Sequence, residues 1–205
     1  DTHLLAHQPH LSQQQPTQSN NSLDAVGVLR DQSTYSWDVP GAYLQGDQTK
    51  DERRILRPPC GFRTFDERGV EIYWSMNVPL YGGEISGAVW NRTFDAAATC
   101  PNGTTAEPSM GYERSTNDPC VYSKCSDGGR INMSLYVDDG RTWHDQCAAD
   151  TAARDLKFLE DRFGVKPKST DGADDYFLGA NRKAISRQVV KIHAETYITS
   201  ISSRY

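Results

Sequence analysis

The sequence is short of three things, and each shortage excludes a class of protein. It has no apolar run approaching the length of a membrane span, and its mean hydropathy is -0.68, so no transmembrane helix is expected. Nor does a signal peptide open the chain. Cysteine is scarce, odd in number and irregularly spaced, at Cys60, Cys100, Cys120, Cys125 and Cys147. This excludes a disulfide-stapled secreted scaffold and predicts free thiols in a reducing compartment. A zinc site drawn from Cys120, Cys125, His144 and Cys147 fits no common ligand spacing. The third shortage is of positive charge: 22 Lys and Arg against 27 Asp and Glu leave a formal net charge of -5. A surface that grips nucleic acid by charge alone is thereby excluded. A nucleic-acid enzyme is not, because it can gather its positive charge in one groove or borrow it from metal ions and other domains.

What is present is enough for one large domain, since 205 residues can bury a substantial core. The first residue is Asp, which suggests a piece of something longer. Residues 1–33 are expected to be a disordered or poorly ordered leader, because their first part is rich in Gln, Ser, Asn and His with almost no apolar period. Thr34 to Val39 reads as a short strand stopped by Pro40. Arg53 to Phe62 and Val70 to Met76 read as two extended arms of a hairpin. Ile85, Ala88, Val89, Trp90, Phe94, Ala97 and Ala98 stand at helical spacings, predicting a helix from Glu84 to about Thr99 with Glu84 in its first turn. Cys120 to Lys124 and Arg130 to Val137 form a predicted hairpin, and Arg141 to Trp143 can continue as a further strand. Ala149, Ala152, Ala153, Leu156, Leu159 and Phe163 give the clearest helical stripe, ended by Gly164. Short strands are expected at Tyr176 to Leu178, Lys183 to Ser186 and Val189 to Ile192, and a helix from Ala194. Leaving out residues 50–80, the order is strand, helix, strand, strand, helix, strand. This is an α+β plan with an antiparallel sheet on helices, the ferredoxin-like βαββαβ arrangement.

The predicted strand Arg130 to Val137 alternates apolar residues at 131, 133, 135 and 137 and runs directly into Asp138 and Asp139. Asp and Gly are favoured in tight turns, so the Asp-Asp-Gly triplet alone reads as a hairpin turn. Adjacent carboxylates at the tip of an apolar strand also call for a counter-charge, because burial and mutual repulsion both oppose their ionisation. The βαββαβ plan can bring Asp38, about a hundred residues upstream, beside this pair. Three hard carboxylates select Mg²⁺ or Mn²⁺ and can hold two ions, the arrangement used in nucleotidyl transfer. Asp38 and Asp138 are the expected bridging ligands and Asp139 a weaker one. Tyr43, past a turn, can set its ring against the sugar of an incoming nucleotide; an ordinary core aromatic is the other reading.

Six segments occur in the order in which they recur in the reverse transcriptases of copia-type LTR retrotransposons. They are Trp37-Asp38-Val39-Pro40-Gly41-Ala42-Tyr43-Leu44-Gln45-Gly46, Pro58-Pro59-Cys60-Gly61-Phe62, Leu80-Tyr81-Gly82, Asn117-Asp118-Pro119-Cys120-Val121-Tyr122, Leu135-Tyr136-Val137-Asp138-Asp139 and Phe177-Leu178-Gly179. The chain resembles that family from about residue 34 to 205. The resemblance implies a right-hand polymerase palm with partial fingers over 34–192 and the start of a thumb or connection helix over 193–205. It implies RNA-directed DNA polymerase activity with two Mg²⁺ (or Mn²⁺) ions, catalytic Asp38, Asp138 and Asp139, and the backbone carbonyl of Val39 as a further metal ligand. Gly41, Ala42 and Tyr43 would meet the nucleotide, with Tyr43 as the sugar gate, and Tyr136 and Val137 would form the hairpin beside the primer. Lys166 is a candidate proton donor to pyrophosphate, against the reading of a lone surface lysine. The implied partners are an RNA or DNA template-primer, dNTP, and the integrase and ribonuclease H parts of a polyprotein. The implied location is intracellular, in a cytoplasmic virus-like particle or the nucleus.

Two departures from the family stand out. Where members carry Lys-Gln after Leu-Tyr-Gly, this chain has Glu84 and Ile85, and no basic fingers segment precedes Asp38 apart from Arg30. A catalytically inactive retroelement remnant is therefore one alternative. The other is a metal-dependent nuclease or phosphohydrolase, which lacks a placed His or Lys as general base.

Overall fold

A computed structural model describes residues 16–99, 109–169, 175–186 and 189–204. It is an α+β fold with antiparallel sheets and, among the described residues, four helices. In chain order the elements are α1 (Pro16–Leu29), β1 (Ser33–Asp38), β2 (Ile55–Leu56), β3 (Trp74–Ser75), α2 (Ser86–Ala98), β4 (Glu113–Arg114), β5 (Val121–Ser126) and β6 (Gly129–Tyr136). They continue with β7 (Asp139–His144), α3 (Ala149–Phe163), β8 (Lys166–Ser169), β9 (Asp175–Phe177), β10 (Ala180–Ser186), β11 (Val189–His193) and α4 (Glu195–Ser202). Single turns of 3-10 helix stand at Ala42–Gln45, Lys50–Glu52 and Gln146–Ala148.

The main sheet has six strands in the order β4-β5-β6-β7-β1-β8; β9, β10 and β11 form a second sheet, and β2 and β3 a two-stranded hairpin. Two expectations need correction. The strand beside β1 is β7, which begins with Asp139, rather than β6, which leads into the Asp pair. The strand that returns to β1 after α3 is Lys166–Ser169, while the stretch around Tyr176 joins the second sheet. The returning segment reads Lys-Pro-Lys-Ser and has no apolar residue to signal a strand. Proline and charge are what an edge strand tolerates, and β8 is the edge.

The two faces of the main sheet are covered differently. On one, Trp37, Tyr122, Ile131, Met133 and Leu135 pack with Trp90, Phe94, Ala97 and Ala98 of α2 and Ala152, Leu159 and Phe163 of α3 into a single apolar core. The helical stripes explain this, with small shifts. Glu84 precedes α2 instead of occupying its first turn, and Ala88 is exposed, while Ser86 and Thr93 are buried. On α3, Asp155 is buried and Ala153 exposed, because the Asp155 carboxylate meets Lys124 Nζ at 2.8 Å and the Tyr112 hydroxyl at 2.8 Å.

The opposite face carries Ser36, Asn132, Ser134 and Arg141, all buried. Helix α1 covers it: Asn20 accepts from the Ser134 hydroxyl at 2.6 Å, and Asp24 from the Trp143 indole at 3.0 Å. This corrects the expected disordered leader over 1–33. Residues 16–29 are helical, and residues 1–15 lie outside the described part. The helix has no broad apolar stripe because it docks on buried polar groups. Asp24 also receives Arg182 Nε at 2.7 Å and lies 3.3 Å from Arg141 Nε, and Arg141 is paired with Asp175 as well. Burial pushes the Arg141 guanidinium down to about 10, against the opposing pull of Asp24 and with the like charge of Arg182 adding to the fall. It stays charged at neutral pH, so the network is ionic.

Candidate active site

The site forms where β1 ends and the β6–β7 hairpin turns. In the β1–β7 register Asp38 stands directly opposite Asp139, and Trp37 opposite Gly140. Gly140 is required: a Cβ there would lie 2.3 Å from the Trp37 ring, a closer approach than any side chain permits. The indole of Trp37 crosses the strand at this point and donates to the Thr142 hydroxyl at 3.1 Å. A glycine opposite a tryptophan therefore brings the carboxylate-bearing ends of the two strands together.

Tyr136 pairs with Asp139 across the hairpin, so its two connecting residues are Val137 and Asp138. The turn reading and the cluster reading of this stretch are thus compatible, because Asp138 occupies the turn while Asp139 and Gly140 begin a strand. Val137 has φ 58°. Such a left-handed conformation is strongly disfavoured for a β-branched residue and persists only where its surroundings hold it. Two contacts hold it here. The Trp90 indole donates to the Val137 carbonyl at 2.6 Å, and the Val39 amide donates to the Asp138 carbonyl at 2.8 Å. Trp90 is itself buried against Phe94 and Phe163, with ring centroids 5.9 and 5.2 Å away. Asp138 is therefore fixed from the apolar core on one side and from the end of β1 on the other.

The Asp138 carboxyl is raised above its ordinary range, first by burial and further by the charges of Asp139 and Asp38. The three carboxylates thus share one electrostatic neighbourhood. Their counter-charge is Lys168, which the sequence reading did not find. Its Nζ lies 3.3 Å from Asp38 Oδ1 and is hydrogen-bonded to Asp139 Oδ1. Burial alone would lower the Lys168 pKa, but hydrogen bonds and charges from Asp139 and Asp38 outweigh it and raise the value. Lys166 stands opposite Asp38 in the β1–β8 register and is exposed, whereas the lysine that touches the carboxylates is two residues further on. Spacing could not distinguish them, since both lie on one short strand of alternating Lys.

Among the described residues no group of three or more His, Cys, Asp or Glu side chains is arranged to hold a metal ion. The donor chemistry fits a hard cation nonetheless: all the acidic groups are carboxylates, one is raised by burial and then by its like-charged neighbours, and two already share an ammonium. Val39 is buried, and its amide donates to the Asp138 carbonyl.

Gly41 takes the left-handed conformation, φ 64°, at the start of the Ala42–Gln45 turn. Gln45 ties that turn down by donating to the Pro40 carbonyl at 2.8 Å and the Phe163 carbonyl at 2.9 Å. Ala42 is fully buried. Tyr43 is half-buried, its ring centroid 4.8 Å from that of Tyr81. Its phenol is raised by burial and then by the charge of Asp138, with Tyr136 and Tyr81 contributing. Tyr43, Tyr136, Tyr81 and Asp138 thus line one locality. Arg30 is elsewhere: it pairs with Asp145 at 2.6 Å, past the far end of β7, six residues or roughly 20 Å along the strand from Asp139.

No helix among the described residues is long and apolar enough to cross a membrane. Comparison of the chain with protein-family models and with curated proteins yields no match.

Proposed function

We propose that the chain is the palm of an RNA-directed DNA polymerase of the copia retrotransposon type, extending a primer 3′-hydroxyl with dNTP on an RNA or DNA template. One observation carries the reading: Asp38 faces Asp139 across β1 and β7, with Asp138 in the adjoining turn. The sheet order supports it. β8-β1-β7-β6, with α2 and α3 on one face, has the connectivity of a ferredoxin-like βαββαβ core, with β5 and β4 added beyond β6. Two Mg²⁺ or Mn²⁺ ions, when bound, supply an acidified primer hydroxyl and counter-charge for the leaving pyrophosphate. Asp38 and Asp138 would hold them, with Asp139 in support. Val137, pinned by Trp90, sets the position of Asp138. Tyr43 presents its ring near Asp138, where it would exclude a ribose 2′-hydroxyl by size, with Gly41 and Ala42 shaping the turn beneath.

A second reading, a catalytically inactive remnant of such an element, is favoured by the ion pairs of Lys168, which already occupy Asp38 and Asp139 and offset part of the cluster's charge. Primer extension on an RNA template with Mg²⁺ or Mn²⁺ separates the two. Extension by the natural chain that is lost in Asp138→Asn supports the polymerase, and Tyr43→Ala should then admit ribonucleotides. Extension that is absent, or equal in natural chain and Asp138→Asn, overturns it.

A further inference from the structure

We infer that Lys168 is a tethered counter-ion that occupies the Asp38–Asp139 carboxylate pair and must withdraw before a divalent cation can enter. The inference rests on the cation-site reading above and goes beyond it by making metal entry a competition with a residue of the chain itself.

Three structural observations support it. The Lys168 ammonium contacts one oxygen of each carboxylate, Oδ1 of Asp38 and Oδ1 of Asp139, on two different strands. Asp38 is a ligand and Asp139 a supporting group of the proposed cation site, so the ammonium and a divalent ion cannot be accommodated independently. Secondly, Lys168 is the extra residue of a β-bulge. Trp37 pairs with Pro167 and Ser36 with Ser169, and the register shifts between them, leaving Lys168 without a partner on β1. Bulges at sheet edges re-aim side chains, and this one re-aims an ammonium over the carboxylates. Thirdly, β8 is able to let go. It is the edge strand, it is four residues long, and Pro167 gives it no amide to donate at its middle. Edge segments with few ladder bonds open locally at low free-energy cost.

Cation competition of this kind is a negative coupling between two ligands of one site, and typical couplings of 1–3 kcal/mol correspond to roughly 5- to 150-fold in affinity. The test is the affinity for Mn²⁺, read as the electron paramagnetic resonance signal of free ion in titrations of the full chain. Lys168→Gln should bind Mn²⁺ about tenfold more tightly than the natural chain, while Lys168→Arg, which keeps the charge, should stay near the natural value. Lys166→Gln removes a charge from the same strand without touching the carboxylates and should change affinity by less than about twofold. Equal affinity in Lys168→Gln and the natural chain overturns the inference, as does an equal gain in Lys166→Gln, which would make the effect one of general charge. If either outcome occurs while Asp138→Asn abolishes binding, the cation site survives and only the plug fails. If no variant binds Mn²⁺, the site reading fails with it.

Discussion

The two faces of the main sheet are buried by different chemistry. Against α2 and α3 the strands present Trp37, Ile131, Met133 and Leu135, an apolar surface whose stability comes from area and fit. Against α1 they present Ser134, Arg141 and Trp143, and the cover is joined by Asp24, which reaches Arg141, Arg182 and Trp143 at once. The candidate site sits at the end of this polar face, where Asp38 follows Ser36 and Asp139 precedes Arg141 in strand alternation. The contrast teaches that one face is tolerant and the other exacting. Apolar packing accepts a replacement of similar volume, whereas an ionic network that loses one member leaves a buried charge behind.

The largest effect should therefore come from the polar side. Asp24→Ala strips Arg141 and Arg182 of a shared partner and is expected to destabilise by about 3–5 kcal/mol, while Met133→Leu on the apolar face should cost less than about 1.5 kcal/mol. Urea denaturation of both variants checks the ranking, and a larger loss for Met133→Leu would break the comparison.

The two faces meet at the Val137 carbonyl, which Trp90 reaches from the apolar core. Trp90→Phe keeps an aromatic beside Phe94 and Phe163 but leaves that carbonyl without its donor, so a loss of about 1–3 kcal/mol is expected. Faster amide exchange at Val137 and Asp138 than at the far end of β7 would show that the effect is local to the turn.

The smallest effect belongs to the rim of the polar face. Asp145 is held well below its ordinary value of 3.8, first by its hydrogen bonds to Arg30, with the Arg130 amide and Gln32 adding and burial opposing. A depressed carboxylate stabilises the fold above its unfolded pKa and loses that contribution as pH falls through the folded one. The tether between Asp145 and the residues after α1 should thus weaken progressively below about pH 4. Asp145→Asn should flatten that part of the acid-unfolding profile while costing under about 1 kcal/mol at pH 7, as an exposed pair does. Thermal unfolding followed from pH 7 to pH 2 reads both quantities.

Much of the fold was legible because its periods were clean. The stripe of α3 with its Gly164 stop and the alternation of β6 reflect local rules, and the structure has them within a few residues, while the expected arms Arg53 to Phe62 and Val70 to Met76 pair as strands only over β2 and β3. The approach of Asp38 to the Asp pair was also legible from element order. Helix α1 was not, because polar docking leaves no apolar period. Lys168 was not, because a bulge is a property of two strands in register, and neither strand alone encodes it.

The sequence by itself determined which residues could bear the chemistry: three aspartates at or beside strand ends, and a tyrosine after a turn. Local chemistry suffices for that, since side-chain type and backbone propensity act over a few residues. Only the tertiary structure decided that Asp139 rather than Asp138 faces Asp38, that Val137 is held left-handed by Trp90, and that the acidic cluster is answered by Lys168. Those choices depend on long-range pairing, where a shift of one residue in register would turn every side chain to the other face.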